Sequence, residues 1–263
     1  MDLRLKGLRA LVAGSTRGLG YAIALGLARE GAAVALNGRD PQKVSAAVQK
    51  LVQETGAQAY AAPGDVSDPA VPETLVAAAA AALGGLDLLV TNAGGPPAGR
   101  FEAFDDAAWQ RAIDFSLMSH VRLIRAALPY LRQSQAASVL TLTSYSVKQP
   151  IPNLVLSNSV RLATIGLTKS LALELGAEGI RFNSLLPGWT ETERVAELMS
   201  ARAQISGLSV EEEIARQARD ASLGRLAQPE EIANPAVFLL SPAASYITGV
   251  MLSVDGGSYK GTL

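Results

Sequence analysis

The sequence predicts a doubly wound α/β domain, a parallel sheet with helices on both faces. Three observations carry that expectation. Short β-rich runs alternate with helix-length segments along all 263 residues, the order that builds βαβ units with right-handed crossovers. Several of the strand-like runs are continuously apolar, as expected where both faces of a strand are covered. No Pro/Gly/Ser linker and no fixed-period repeat divides the chain, so residues 1–263 read as a single domain.

The elements follow in order. Strand-like runs are "RALVAG" (9–14), "AAVALNG" (32–38), "AQAYAAPG" (57–64), "LDLLVTNAG" (86–94), "ASVLTLTS" (137–144), "IRFNSLLPG" (180–188) and "VMLSVDG" (250–256). Helices are expected between them at 18–30, 41–55, 68–83, 105–132, 153–177 and 229–241. Asp40 followed by Pro41 reads as the cap and first residue of the second helix. One segment breaks the alternation: 190–228 is a charged helical insertion between a strand and the next helix. At that place in an open sheet an insertion overhangs the carboxyl ends of the strands, where ligands bind. A lid is the functional reading and a solvated excursion the plain one.

Composition excludes several classes. Net charge is −1, so no overall field attracts nucleic acid or anionic lipid. The greasiest run, "LVAAAAAALGGLDLLV" (75–90), is broken by Gly84, Gly85 and Asp87 and does not span a membrane. The opening residues lack a signal-peptide layout, and a cytoplasmic protein is expected. There is no cysteine, no His/Cys/Asp/Glu spacing that suits a metal, and a single histidine, His120, which reads as a packing residue. Two isolated tryptophans offer no base-stacking platform.

The first chemical motif is "AGSTRGLG" (13–20), placed after strand one and opening helix one. Gly14, Gly18 and Gly20 allow a tight turn and close approach to a diphosphate seated on the helix amino terminus. Further along stand "GDVSD" (64–68), "TNAG" (91–94), "GIRFNSLLPGWTET" (179–192) and "GRLAQPEEIANPAVFLLSPAASYITGVMLSVDGG" (224–257). In this order and spacing the five segments resemble the short-chain dehydrogenase/reductase family, in particular 3-oxoacyl-acyl-carrier-protein reductases. The likeness covers essentially the whole chain. It implies a Rossmann-type fold, a nicotinamide dinucleotide, hydride transfer to a small-molecule carbonyl, and a homotetramer. By that likeness the cofactor contacts are Gly14, Ser15, Arg17, Gly18, Leu19 and Gly20 in the first loop. Asp65 and Val66, then Asn92, Ala93 and Gly94, then Pro187, Gly188 and Thr192 complete them.

Cofactor choice has a physical basis. Gly38 stands where an acid preferring NAD would accept bonds from the adenosine ribose, and Arg39 follows it. Arg39 and Arg17 together suit a 2′-phosphate, so NADP(H) is expected. A surface arginine preceding a helix is the plainer reading of Arg39.

The catalytic positions depart from the resembled pattern. The family's Asn, Ser, Tyr and Lys fall on Ser116, Ser144, Ser157 and Arg161, so one of four is kept. A serine hydroxyl is too weak an acid to replace a tuned phenol, and a guanidinium holds charge without relaying a proton. Ser157 and Arg161, four apart on one helix, should still face the cofactor. Lys148 and then Tyr145, just beyond Ser144, are the expected substitute acids. Tyr145 should turn away from Ser144 if the strand continues. An NADP(H)-dependent carbonyl reductase with an atypical proton donor is the leading reading. A dinucleotide-binding sensor or subunit without chemistry is the alternative.

Overall fold

Alternating apolar residues send one strand face into each of two helical layers. The computed structural model describes residues 1–262. Its strands are β1 (Arg9–Val12), β2 (Ala33–Gly38), β3 (Ala59–Pro63), β4 (Leu88–Thr91), β5 (Ser138–Leu142), β6 (Arg181–Pro187) and β7 (Met251–Val254). They form one parallel sheet in the order β3-β2-β1-β4-β5-β6-β7. Val12 pairs with Leu36 on one side and Val90 on the other. The order reverses between β1 and β4, and the crevice outside their carboxyl ends is where an open sheet of this kind binds its ligand.

Between the strands run α1 (Gly18–Arg29), α2 (Pro41–Thr55), α3 (Val71–Leu83), α4 (Asp106–Ile113), α5 (Ser119–Leu131) and α6 (Val155–Leu175), and later α9 (Pro229–Leu240). Val12, Leu36, Val90 and Leu185 pack against Ile23 and Leu27 of α1, Val44 of α2 and Ile232 of α9. Their neighbours Leu11, Ala35, Leu89 and Phe182 enter the other layer, against Val76 of α3 and Leu123 of α5. This is the two-residue period of a strand buried on both sides. Each fully buried leucine contributes roughly 1.5–3 kcal/mol. Helix α2 starts as its sequence requires: Asp40 accepts from the Gln42 and Lys43 amides at 2.9 and 3.3 Å, and Pro41 takes the first position.

Two expectations need correction. The helix expected over 105–132 is not continuous: Asp114–Met118 form a π-turn between α4 and α5, and such turns often sit at functional sites. The strand expected to reach residue 144 ends at Leu142, and Ser144 caps a 3₁₀ turn over Tyr145–Val147 by accepting the Ser146 amide at 3.1 Å.

The insertion folds into α7 (Glu193–Ser206) and α8 (Val210–Ala218). They are joined by Arg202 donating to Gln217 at 2.7 Å and Ser206 donating to Glu213 at 2.7 Å. Its two ends are tied by the Ala227 amide on the Trp189 carbonyl and the Glu191 amide on the Ala227 carbonyl. Among the described residues, no helix is long and apolar enough to cross a membrane.

Candidate active site and dinucleotide cleft

The glycine loop is held open by packing as well as by glycine. Gly14 and Gly18 both have φ of +57°, a region that strains other residues. A Cβ on Gly20 would strike the Gly14 carbonyl and the Asn92 amide group. Asn92, after β4, donates to the Ala13 and Gly14 carbonyls at 3.3 and 3.0 Å, so the second strand-end segment braces the first. Ser15 is fully buried: its hydroxyl donates to the Val12 carbonyl at 2.7 Å and accepts the Asn37 amide at 3.0 Å. Its side chain supports the loop from within rather than facing the cleft. Asn37 completes the staple, accepting the Gly14 amide at 3.2 Å and donating to the Ala62 and Gly64 carbonyls. Sequence reasoning missed Asn37, although a buried amide inside the apolar run "AVALNG" was the signal for it.

A cavity of about 340 Å³ opens above this loop. Gly14, Arg17, Gly18, Leu19 and Gly20 line one end of it, and Asn92, Ala93, Gly94, Pro187, Gly188 and Thr192 follow along its length. Most of the expected cofactor residues therefore converge, and the stripped-down backbone fits the diphosphate of a dinucleotide. Asp65 and Val66 stand apart from this cavity. The Asp65 carboxylate accepts the Ser67 amide and hydroxyl at 2.9 and 2.7 Å, and Val66 is buried in the second helical layer.

Arg17 also reaches a second, open cavity of about 800 Å³, which Arg39, Lys43 and Lys50 share with it. The expected Arg17–Arg39 pair thus faces one space. Gly38 beside it is tightly enclosed, since a Cβ there would lie 2.5 Å from Thr16. Arg17 is meanwhile in loose contact with Glu197 of α7 at 3.4 Å. Glu197 in turn lies 3.8 Å from Arg194 of the same helix.

The other end of the 340 Å³ cavity holds Ser144, Tyr145, Ser157 and Arg161. Ser157 and Arg161 share one face of α6, and Arg161 Nε donates to Ser157 Oγ at 3.1 Å. The guanidinium also donates to the carbonyls of Thr143 and Gly94, both at 3.0 Å, and at 3.5 Å to that of Leu142. It therefore bridges the ends of β4 and β5 to α6. Burial, and then the charge of Arg194, lowers its pKa to about 10. It stays charged at neutral pH.

Tyr145 and Lys148 exchange the places expected for them. The 3₁₀ turn brings the Tyr145 ring into the cavity wall, where its hydroxyl accepts from Trp189 Nε1 at 3.0 Å. Burial raises its pKa above the usual tyrosine value. Lys148 lies outside the cavity. The same turn leaves it exposed, with its ammonium 5.4 Å from the centre of the Tyr259 ring.

Behind the wall, His120 is buried and shares a hydrogen bond of 2.7 Å with Thr91. This is the packing role expected of it. Ser116 lies within the π-turn, its carbonyl accepting from Thr164 at 2.8 Å and its buried hydroxyl without a partner among the described residues. No cluster of metal-ligating side chains occurs among the described residues.

Comparison with known proteins bears on the fold and the family. Residues 13–259 match a family model described as enoyl-(acyl carrier protein) reductase. Dehydrogenase/reductase SDR family member 4 of Oryctolagus cuniculus is 36% identical, over 95% of this chain and 92% of that protein. The 7alpha-hydroxysteroid dehydrogenase of Escherichia coli K12 is 30% identical, over 98% and 97%. Among solved structures, L-sorbose reductase of Gluconobacter frateurii, complexed with NADPH and L-sorbose, superposes with a TM-score of 0.95 at 30% identity, covering 99% of this chain and 100% of that one. An NADPH-bound short-chain oxidoreductase of Pseudomonas aeruginosa PAO1, described as containing an atypical catalytic center, gives 0.88 at 32% identity, over 97% and 98%. With its parallel seven-stranded sheet, its glycine loop and these relatives, the chain belongs to the short-chain dehydrogenase/reductase family.

Proposed function

We propose that the protein is an NADP(H)-dependent reductase of a small carbonyl compound, with Tyr145 in place of the missing phenol on α6. One observation carries the reading: Tyr145, Ser144, Ser157 and Arg161 line the same cavity as the glycine loop. When bound, the dinucleotide supplies the hydride. Ser144 and Ser157 hydroxyls then donate to the carbonyl oxygen as it gains charge. Arg161 holds Ser157 through its Nε–H and places a buried positive charge behind it. Tyr145 delivers the proton. Its raised pKa does not disqualify it, because an alkoxide is a far stronger base than a phenolate. Burial keeps the phenol protonated, hence loaded, through neutral and mildly alkaline pH.

The binding-only alternative rests on Arg161, whose guanidinium is heavily committed to strand-end carbonyls. A carbonyl panel assayed by NADPH oxidation, beside a binding titration followed by Trp189 fluorescence, separates the two. The reductase reading expects Tyr145→Phe to lose 10²-fold or more in kcat, the lower range for a general acid, while still binding NADPH. Full activity in that variant removes Tyr145 from the role. A wild-type protein that binds NADPH but reduces no carbonyl, while Ser157→Tyr with Arg161→Lys gains activity, establishes the alternative.

A further inference from the structure

Arg161 brings its charge to the cavity wall and, among the described residues, hydrogen-bonds to no acid; Glu193 is the one acid lining the same cavity. The four hydrogen bonds of Arg161 end on Ser157 Oγ and the Leu142, Thr143 and Gly94 carbonyls, all neutral. Its Nη2 uses one of two N–H groups on Gly94. A second guanidinium approaches from the insertion. Arg194, in the first turn of α7, reaches the Pro96 carbonyl only at 3.5 Å and Glu197 only at 3.8 Å. Both contacts are at the outer limit for their kind.

The two groups meet over Gly95. The Nη2 atoms of Arg161 and of Arg194 each lie 3.9 Å from the point that a Cβ on this glycine would occupy. All three residues line the cavity. With no side chain on Gly95, the cavity floor stays open beside both guanidinium groups, and a small group in the cavity can approach them together. Burial first, and the charge of Arg194 second, disfavour the charged form of Arg161. An anion beside both guanidinium groups would relieve that repulsion and accept from both forks. Beyond it the wall turns apolar, with Ile151, Leu154, Trp189 and Leu198.

We infer that Arg161 and Arg194 form a carboxylate site over Gly95, and that the substrate is an oxo acid with a short apolar body. This rests on the reductase reading above. The carbonyl carbon gains a hydride from the reduced nicotinamide and its oxygen gains the Tyr145 proton, while the carboxylate remains unchanged in the product hydroxy acid. Arg194 selects the substrate and takes no part in the proton transfer.

The test uses matched series of oxo acids, their methyl esters and their amides in the NADPH assay, with a phosphorylated ketone as a second anion. Binding of malonate, an inert carboxylate, to the NADPH-loaded protein is followed separately by Trp189 fluorescence. The acids should exceed their esters at least tenfold in kcat/KM. Arg194→Gln should erase that advantage through KM, with kcat within about threefold and NADPH affinity unchanged. Arg194→Lys should restore part of it. Equal turnover of acids and esters overturns the inference, as does a stronger preference for the phosphorylated ketone. If Arg194→Gln weakens NADPH as much as substrate, the residue serves the cofactor and the inference falls. If no carbonyl is reduced yet malonate binds in an Arg194-dependent way, the carboxylate site stands and the reductase reading fails.

Discussion

His120 is the chain's one histidine, and it is buried on α5 with its ring hydrogen-bonded to Thr91 of β4. Burial, reinforced by the charge of Arg161, lowers its pKa to about 3, far below the ordinary value near 6.5. The native protein therefore keeps His120 neutral while the unfolded chain takes up a proton below about pH 6.5. Its contribution to stability is complete above that pH and is lost as pH falls toward 3, at up to about 1.4 kcal/mol per pH unit. His120→Gln should flatten this dependence between pH 6 and 4, as read from urea midpoints. An unchanged slope would count against the assignment. At the same scale, Arg39→Ala should remove most of the preference for NADPH over NADH, about tenfold, without altering NADH affinity. Equal losses for both dinucleotides would place Arg39 elsewhere.

Elements differ in how clearly their sequences announced them. The inner strands were legible because parallel strands buried on both faces leave unbroken apolar runs such as "LLV" at 88–90, whereas the less buried edge strands β3 and β7 were legible from the strand-helix alternation. The π-turn at Asp114–Met118 was not, since one i→i+5 step leaves the apolar spacing of 105–132 almost unchanged. The end of β5 was hidden for a related reason: "LTLTS" continues strand chemistry past the residue where pairing stops. That two-residue difference moved Tyr145 into the cavity and Lys148 out of it. The place of Arg194 and Glu197 in the cavity linings was unreadable, because charges on an exposed helix ordinarily mark a solvated face. At the opposite end of the sheet, Arg9 ties β1 to β4. Its Nε and Nη2 donate to Asp87 at 2.8 Å each, and the Asp87 side chain is only 5% exposed. Burial works to raise the Asp87 pKa, but the bonds from Arg9 and Ser134 hold it below the usual carboxylate range. Its support is present at neutral pH and lost in acid as that lowered pKa is passed. Asp87→Ala should cost about 1.5–3 kcal/mol, since it removes the charge-assisted hydrogen bonds of a guanidinium that is itself 31% exposed. A loss under 1 kcal/mol in chemical denaturation would show the pair to be incidental.

The whole molecule leaves one long helix unfinished. On α6, Leu162 and Leu173 are 53% and 75% exposed, opposite the face that carries Ser157 and Arg161. Apolar residues on the outer side of such a helix call for a partner. A homotetramer is the expected assembly, and sedimentation at micromolar concentration checks it. Leu173→Glu should shift the protein toward smaller species, whereas a wild-type monomer would refute the expectation. A different consequence follows from Glu197, placed between Arg17 of the glycine loop and Arg194 of the insertion. One carboxylate there occupies cations that ligand anions would use, so the protein contains its own weak competitor. Linkage makes the effect mutual: the factor by which a phosphate loosens that contact is the factor by which the contact weakens the phosphate. The pairs are exposed and worth at most about 1 kcal/mol. Glu197→Gln should accordingly tighten NADPH up to about fivefold in calorimetry at low salt, with the gain shrinking as ionic strength rises.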